Sequence, residues 1–112
     1  MPSYLFVYRS SQEYQPDPEA MSAWQSWFDG FSDSVVDLGN PVYGNRQALG
    51  HDGCETLIRG YSVVSAANIE AATQLAQGCP LLQRGGGVEI AELTPLGPEA
   101  ETAASANSTQ AA

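Results

Sequence analysis

The chain has 112 residues, 43% of them apolar, enough for one modest core and too few for a second domain. Thirteen Asp and Glu stand against four arginines and no lysine, a formal net charge of −9. Nucleic acids and anionic membrane surfaces are bound through several cations, so this balance excludes both as partners.

Met1 to Arg9 carries neither a basic n-region nor a small-residue cleavage site, and no apolar run approaches the ~20 residues of a membrane span. A cytoplasmic protein with reduced thiols at Cys54 and Cys79 is therefore expected. Tyr4 to Tyr8 (YLFVY) has no polar interruption and predicts a strand apolar on both faces, which belongs inside a sheet covered on both sides. After a polar loop over 9–16, Asp17, Pro18 and Glu19 form a helix start: a side-chain cap, a first-turn proline and an acid at the positive end of the dipole. Met21, Trp24, Phe28, Phe31, Val35 and Leu38 recur at spacings of three and four, predicting one apolar stripe that ends at Gly39 and Pro41. Trp27 falls on the flank of that stripe.

Residues 42–49 predict a weaker edge strand, the Gly50-His51-Asp52-Gly53 stretch a loop, and residues 57–64 a third strand. Asn68 caps a second helix with Ile69, Ala72, Leu75, Ala76 and Cys79 on one face, ended by Gly78 and Pro80. Gly85 to Gly87 turn the chain into a last strand, Val88 to Leu93. Residues 1–96 are the expected folded domain, and 97–112, polar and alanine-rich, an expected disordered tail. The order β-α-β-β-α-β predicts an α+β, ferredoxin-like fold, a four-stranded antiparallel sheet with both helices on one face. The other face is left open, and the expected cover is a second copy of the chain.

YLFVY, the helix with Met21, Trp24 and Phe31, the strand Gly60-Tyr61-Ser62-Val63-Val64, the helix end Gly78-Cys79-Pro80 and the closing Gly87-Val88-Glu89-Ile90 together resemble the YCII-related proteins over residues 4–96. These are small bacterial proteins of the dimeric α+β barrel superfamily. The resemblance implies a homodimer whose sheets face each other around a cavity, with the helices outside. It also implies an active site with a His in the first helix and an Asp near the end of the second. Here those positions hold Phe28 and Cys79, and the Asp-Gly-Pro-Phe motif of one large branch is absent. The fold of the family thus carries over better than its chemistry.

His51, the only histidine, stands beside Asp52 and invites a general-base reading, although neighbours on a glycine-flanked loop seldom face each other and a solvated turn is the simpler reading. Two cysteines and one histidine match no metal spacing, so no metal and no cofactor are expected. Cys79 is a nucleophile only if a cation such as Arg84 activates it; otherwise it is a small buried apolar residue. Arg84 with Gly85-Gly86-Gly87 enters a strand rather than a helix, unlike a phosphate loop. Period-2 alternation turns Glu89 toward the open face, where Arg9 or Arg59 would be its charge partner, as the polar centre of a ligand cavity or as an interface ion pair. The expected role is a non-catalytic or accessory homodimer binding a small ligand or a protein partner. The alternative is a cofactor-free enzyme acting on a small metabolite in the barrel.

Overall fold

Strand β1 (Ser3–Ser10) alternates along its whole length: Tyr4, Phe6, Tyr8 and Ser10 are buried on one face, and Leu5, Val7 and Arg9 are half-buried on the other. It belongs to a computed structural model that describes residues 1–15, 17–50 and 56–96; His51, Asp52, Cys54 and the tail 97–112 lie outside the described residues. Both edges of β1 are paired, antiparallel to β3 (Leu57–Ser65) and to β4 (Gly87–Glu92). The short β2 (Val35–Asp37) pairs with the far side of β3, giving the strand order β2-β3-β1-β4. This is a small α+β fold built on a four-stranded antiparallel sheet.

Helices α1 (Pro18–Gly30) and α2 (Ile69–Ala76), with a 3₁₀ turn over Pro80–Arg84, cover the Tyr4-Phe6-Tyr8 face. Both helices start as their sequences predict. The Asp17 carboxylate accepts from the Ala20 amide at 2.7 Å, which lowers its pKa, and the Asn68 side chain accepts from the Ala71 amide at 2.8 Å. The half-buried open face carries Leu5 opposite Val63 and Val7 opposite Tyr61, with Glu89 and Ala91 beside them on β4.

Two elements differ from the periodic reading. Helix α1 stops at Gly30, eight residues before Leu38, and the second strand is Val35–Asp37 rather than 42–49. The helical spacing of Val35 and Leu38 is overridden by Ser32-Asp33-Ser34, whose side chains compete for backbone bonds, and by the β-branched pair Val35-Val36, which suits a pleated edge. Residues 38–50 then run as a loop, attached by the isolated Pro41–Gly60 bridge. Gly39 has φ +82°, and a side chain there would run into the Tyr61 carbonyl, so the loop can leave β2 against β3 only through glycine.

Helix α1 is also rotated from the predicted stripe. Ala20 is fully buried and Met21 is 57% exposed, so the inward line runs through Ala20, Trp24, Trp27 and Phe31. At about 100° per residue Trp27 lies as close to that line as Trp24 does. Its ring stacks on Phe6 at 6.4 Å, its indole N–H donates to the Leu75 carbonyl of α2 at 2.9 Å, and the absence of a side chain at Gly78 makes room for it. Trp27 therefore ties both helices to the sheet, whereas Trp24 faces a cleft. Trp27→Ala is expected to lower the denaturant midpoint more than Trp24→Ala, by about 3–5 kcal/mol against roughly 1–2 kcal/mol, because only the first removes both the stack on Phe6 and the hydrogen bond to the part-buried Leu75 carbonyl. Urea unfolding of both variants by far-UV dichroism checks this ranking.

Candidate functional site

Beneath α1, at the end of the sheet where the 38–43 loop leaves β2, a cleft of about 240 Å³ opens. Met21, Trp24 and Phe28 of α1 form one wall, Leu38 to Pro41 with Tyr43 the other, and Tyr8 and Ser62 the floor. The floor is a closed hydrogen-bond chain: the Tyr8 hydroxyl donates to Ser62 Oγ at 2.8 Å, and the Ser62 hydroxyl donates to the Leu38 carbonyl at 2.6 Å. Burial raises the Tyr8 pKa above its ordinary value, so the phenol stays protonated at neutral pH. Trp24 meets the Tyr8 ring edge-on at 4.8 Å and fixes the inner wall.

Arg59 stands at the polar end of this cleft because the sheet is irregular there. Tyr8 pairs with Gly60, yet Arg9 pairs with Ile58, so Arg59 is the extra residue of a bulge. A bulge re-aims the side chain it carries, and Arg59 lines the cleft together with Tyr8 and Gly60. Its Nε donates to the buried Ser10 hydroxyl at 2.7 Å, its Nη2 to the Ser11 carbonyl at 2.7 Å, and its guanidinium lies 5.7 Å from the Tyr14 ring centre. Neither ion pair formed among the described residues includes it.

The structure thus separates the arginines that the sequence offered as alternatives. Arg9, on the open face, reaches Glu89 across the β1–β4 ladder with Nε to Oε1 at 3.7 Å, and the Glu89 side chain is 66% exposed. Arg59 is on the helix-covered side, apart from that pair. Of the residues with suggested chemistry, Cys79 is 1% exposed and its thiol is pushed up to about 11 by burial, against a smaller opposing backbone hydrogen bond at Leu81. Arg84 pairs with the helix cap Asp17 at 3.5 Å. Cys79 is in the core, with Ala72, Ala76 and Leu81. His51 and Asp52 lie outside the described residues.

Sequence reasoning did not group Tyr8, Trp24, Tyr14 and Ser62 as one site. The available signal was Gly60, an isolated glycine inside a strand, which marks a bulge and therefore a redirected neighbour. Among the described residues no three His, Cys, Asp or Glu side chains converge as a metal site, and no helix is long and apolar enough to cross a membrane. No protein-family model and no curated protein matches this chain. Fold and site define a small α+β protein with an aromatic, ligand-sized cleft holding one guanidinium.

The Cys79 thiol has a sign-definite consequence. Its folded pKa of about 11 lies above the ordinary value of 9.0, so its contribution is fully present below pH 9 and is lost as pH rises toward 11. Near pH 10 the loss is on the order of 1 kcal/mol, since one unit corresponds to about 1.4 kcal/mol. Urea midpoints at pH 8 and pH 10 should fall less in Cys79→Ala than in the parent chain, whatever the absolute cost of that substitution.

Proposed function

We infer that this chain is a cytoplasmic, YCII-like binding protein with a ferredoxin-like fold, a homodimer that holds a small, largely apolar ligand in the cleft beneath α1 without transforming it. The observation that carries the reading is the cleft itself: aromatic walls, a floor whose hydroxyls are bonded to one another, and a phenol held protonated. Such a lining supplies contact area and exclusion of water, and among the described residues it offers no group poised to exchange a proton at neutral pH. The strand order β2-β3-β1-β4, with antiparallel neighbours, supports the ferredoxin-like assignment.

The homodimer is supported by the open face, where Leu5, Val7, Tyr61 and Val63 form a half-buried stripe with Arg9 and Glu89 beside it. Under two-fold symmetry the same patch meets itself, so the stripe would pack against its own copy. Sedimentation at micromolar concentration should give about twice the 11.9 kDa chain mass, and Val63→Asp should give the chain mass. A monomeric parent protein would remove the dimer.

The ligand reading is tested with the neutral probe 2-naphthamide and the ¹⁵N-labelled full chain. Saturable shifts in the amides of 38–43 and 59–62, at one site per protomer, are expected, with the probe recovered unchanged. Shifts confined to the open face around Arg9 and Glu89 would move the site there, and no saturable shift with this probe or with its acid, 2-naphthoate, would remove it.

A further inference from the structure

The uneven polarity of the cleft narrows what it can hold. At the floor, the Tyr8 and Ser62 hydroxyl protons are spent on Ser62 and on the Leu38 carbonyl, so the deep end has no free hydroxyl donor. Around it lie the rings of Trp24, Phe28 and Tyr43. A flat apolar body fits there, against rings rather than hydroxyl donors.

At the other end Arg59 is the one ionised side chain of the lining among the described residues. Two of the five guanidinium N–H donors are taken, by Ser10 and Ser11. Those bonds and the Tyr14 ring hold the guanidinium plane, leaving the Nη1 donors without a partner among the described residues. A held guanidinium with an open edge, in an aromatic cleft, is complementary to a carboxylate. A phosphate dianion would bring a second charge, for which the lining has no second cation. The volume, about 240 Å³, is below the ~300–1,000 Å³ of pockets for drug-sized molecules and suits one or two fused rings.

Resting on the reading of this cleft as a ligand site, we propose that its ligand class is the planar aromatic monocarboxylate, with the ring system among Trp24, Phe28 and Tyr43 and the carboxylate on Arg59. Arg59 is then the specificity-determining residue, delivered to the cleft by the bulge opposite Tyr8 and Arg9.

The experiment is a matched pair of probes on the full-length protein, 2-naphthoate and its neutral isostere 2-naphthamide, titrated by calorimetry and by amide NMR at pH 7. The parent chain should bind the naphthoate at least tenfold more tightly, with shifts at 59–62 for both probes. In Arg59→Gln the preference for the naphthoate over the naphthamide should fall to less than twofold, whatever the absolute affinity for either, and Arg59→Lys, which keeps the charge but loses the fork, should lie between. Naphthamide bound as well as naphthoate by the parent chain would overturn this inference and leave the cleft reading standing. A preference that survives in Arg59→Gln would place the carboxylate elsewhere and overturn it too. If neither probe binds, the inference and the cleft reading fail together. Should Arg59→Gln prove unfolded, the ratio in the parent chain decides alone.

Discussion

Strand β1 is the constraint on which the other elements depend. It is paired along both edges and packed by large side chains on one face, so it cannot move without unpairing β3 or β4. Tyr4, Phe6 and Tyr8 point to the helices in succession, and each meets a different part of the helical layer. Phe6 receives Trp27, and Tyr8 receives Trp24 and, at longer range, Phe28. The three positions thereby dictate where α1 lies across the sheet. Because Tyr8 is the last of them and its hydroxyl is drawn toward Ser62, α1 passes over a phenol ring rather than an aliphatic side chain, and the space beyond it stays open.

The bulge opposite Tyr8 and Arg9 is the second determinant, and it explains why two arginines near one another in the sheet have different surroundings. Alternation along an unbroken ladder sends neighbouring residues to opposite faces, and one extra residue breaks the alternation locally. Arg9 keeps to the open face and reaches Glu89. Arg59 joins Gly60 at the helix-covered side and satisfies the buried Ser10 hydroxyl. The ion pair, with Glu89 mostly exposed, contributes little to stability, on the order of 0–1 kcal/mol. Arg59 has more structural weight, since without it the Ser10 hydroxyl would lose the guanidinium hydrogen bond.

Much of this fold was legible in the residues. The aromatic run of β1, both helix caps and the glycine turn before β4 are local signals with local physical causes, and each stands where the sequence puts it. The end of α1 was not legible, because Phe31, Val35 and Leu38 continue a helical spacing that the serine-rich turn over 32–34 interrupts. The rotation of α1 was missed for a related reason: counting only large apolar residues gave weight to Met21 and none to Ala20, and the small residue is the buried one. The site was the least legible part. Its members come from β1, β3, α1, the Pro80–Arg84 turn and two loops, and it is the register of β1 on β3 that sets Tyr8 beside Gly60 and Ser62 at its floor. The placement of Glu89 on the open face followed from alternation alone, whereas the arginine that would face it could not be chosen without knowing of the bulge.

The charge of the whole chain and the charge of the cleft act at different ranges. A formal charge of −9 repels an approaching anion, and that repulsion is screened over roughly 10 Å at 0.1 M salt. Inside the cleft the lining holds no carboxylate among the described residues, and the nearest fixed charge is the guanidinium. Water is partly excluded there, so a contact between a carboxylate and the fork is screened less than the long-range field is. Added salt therefore removes more of the repulsion than of the attraction, and it shifts the balance toward an anion in the cleft. A cation would experience the reverse: attraction to the acidic surface at long range, and a like charge on entering. The few arginines of this chain are consequently worth more by position than by number, and among the described residues the cleft lining carries the sign opposite to that of the chain as a whole.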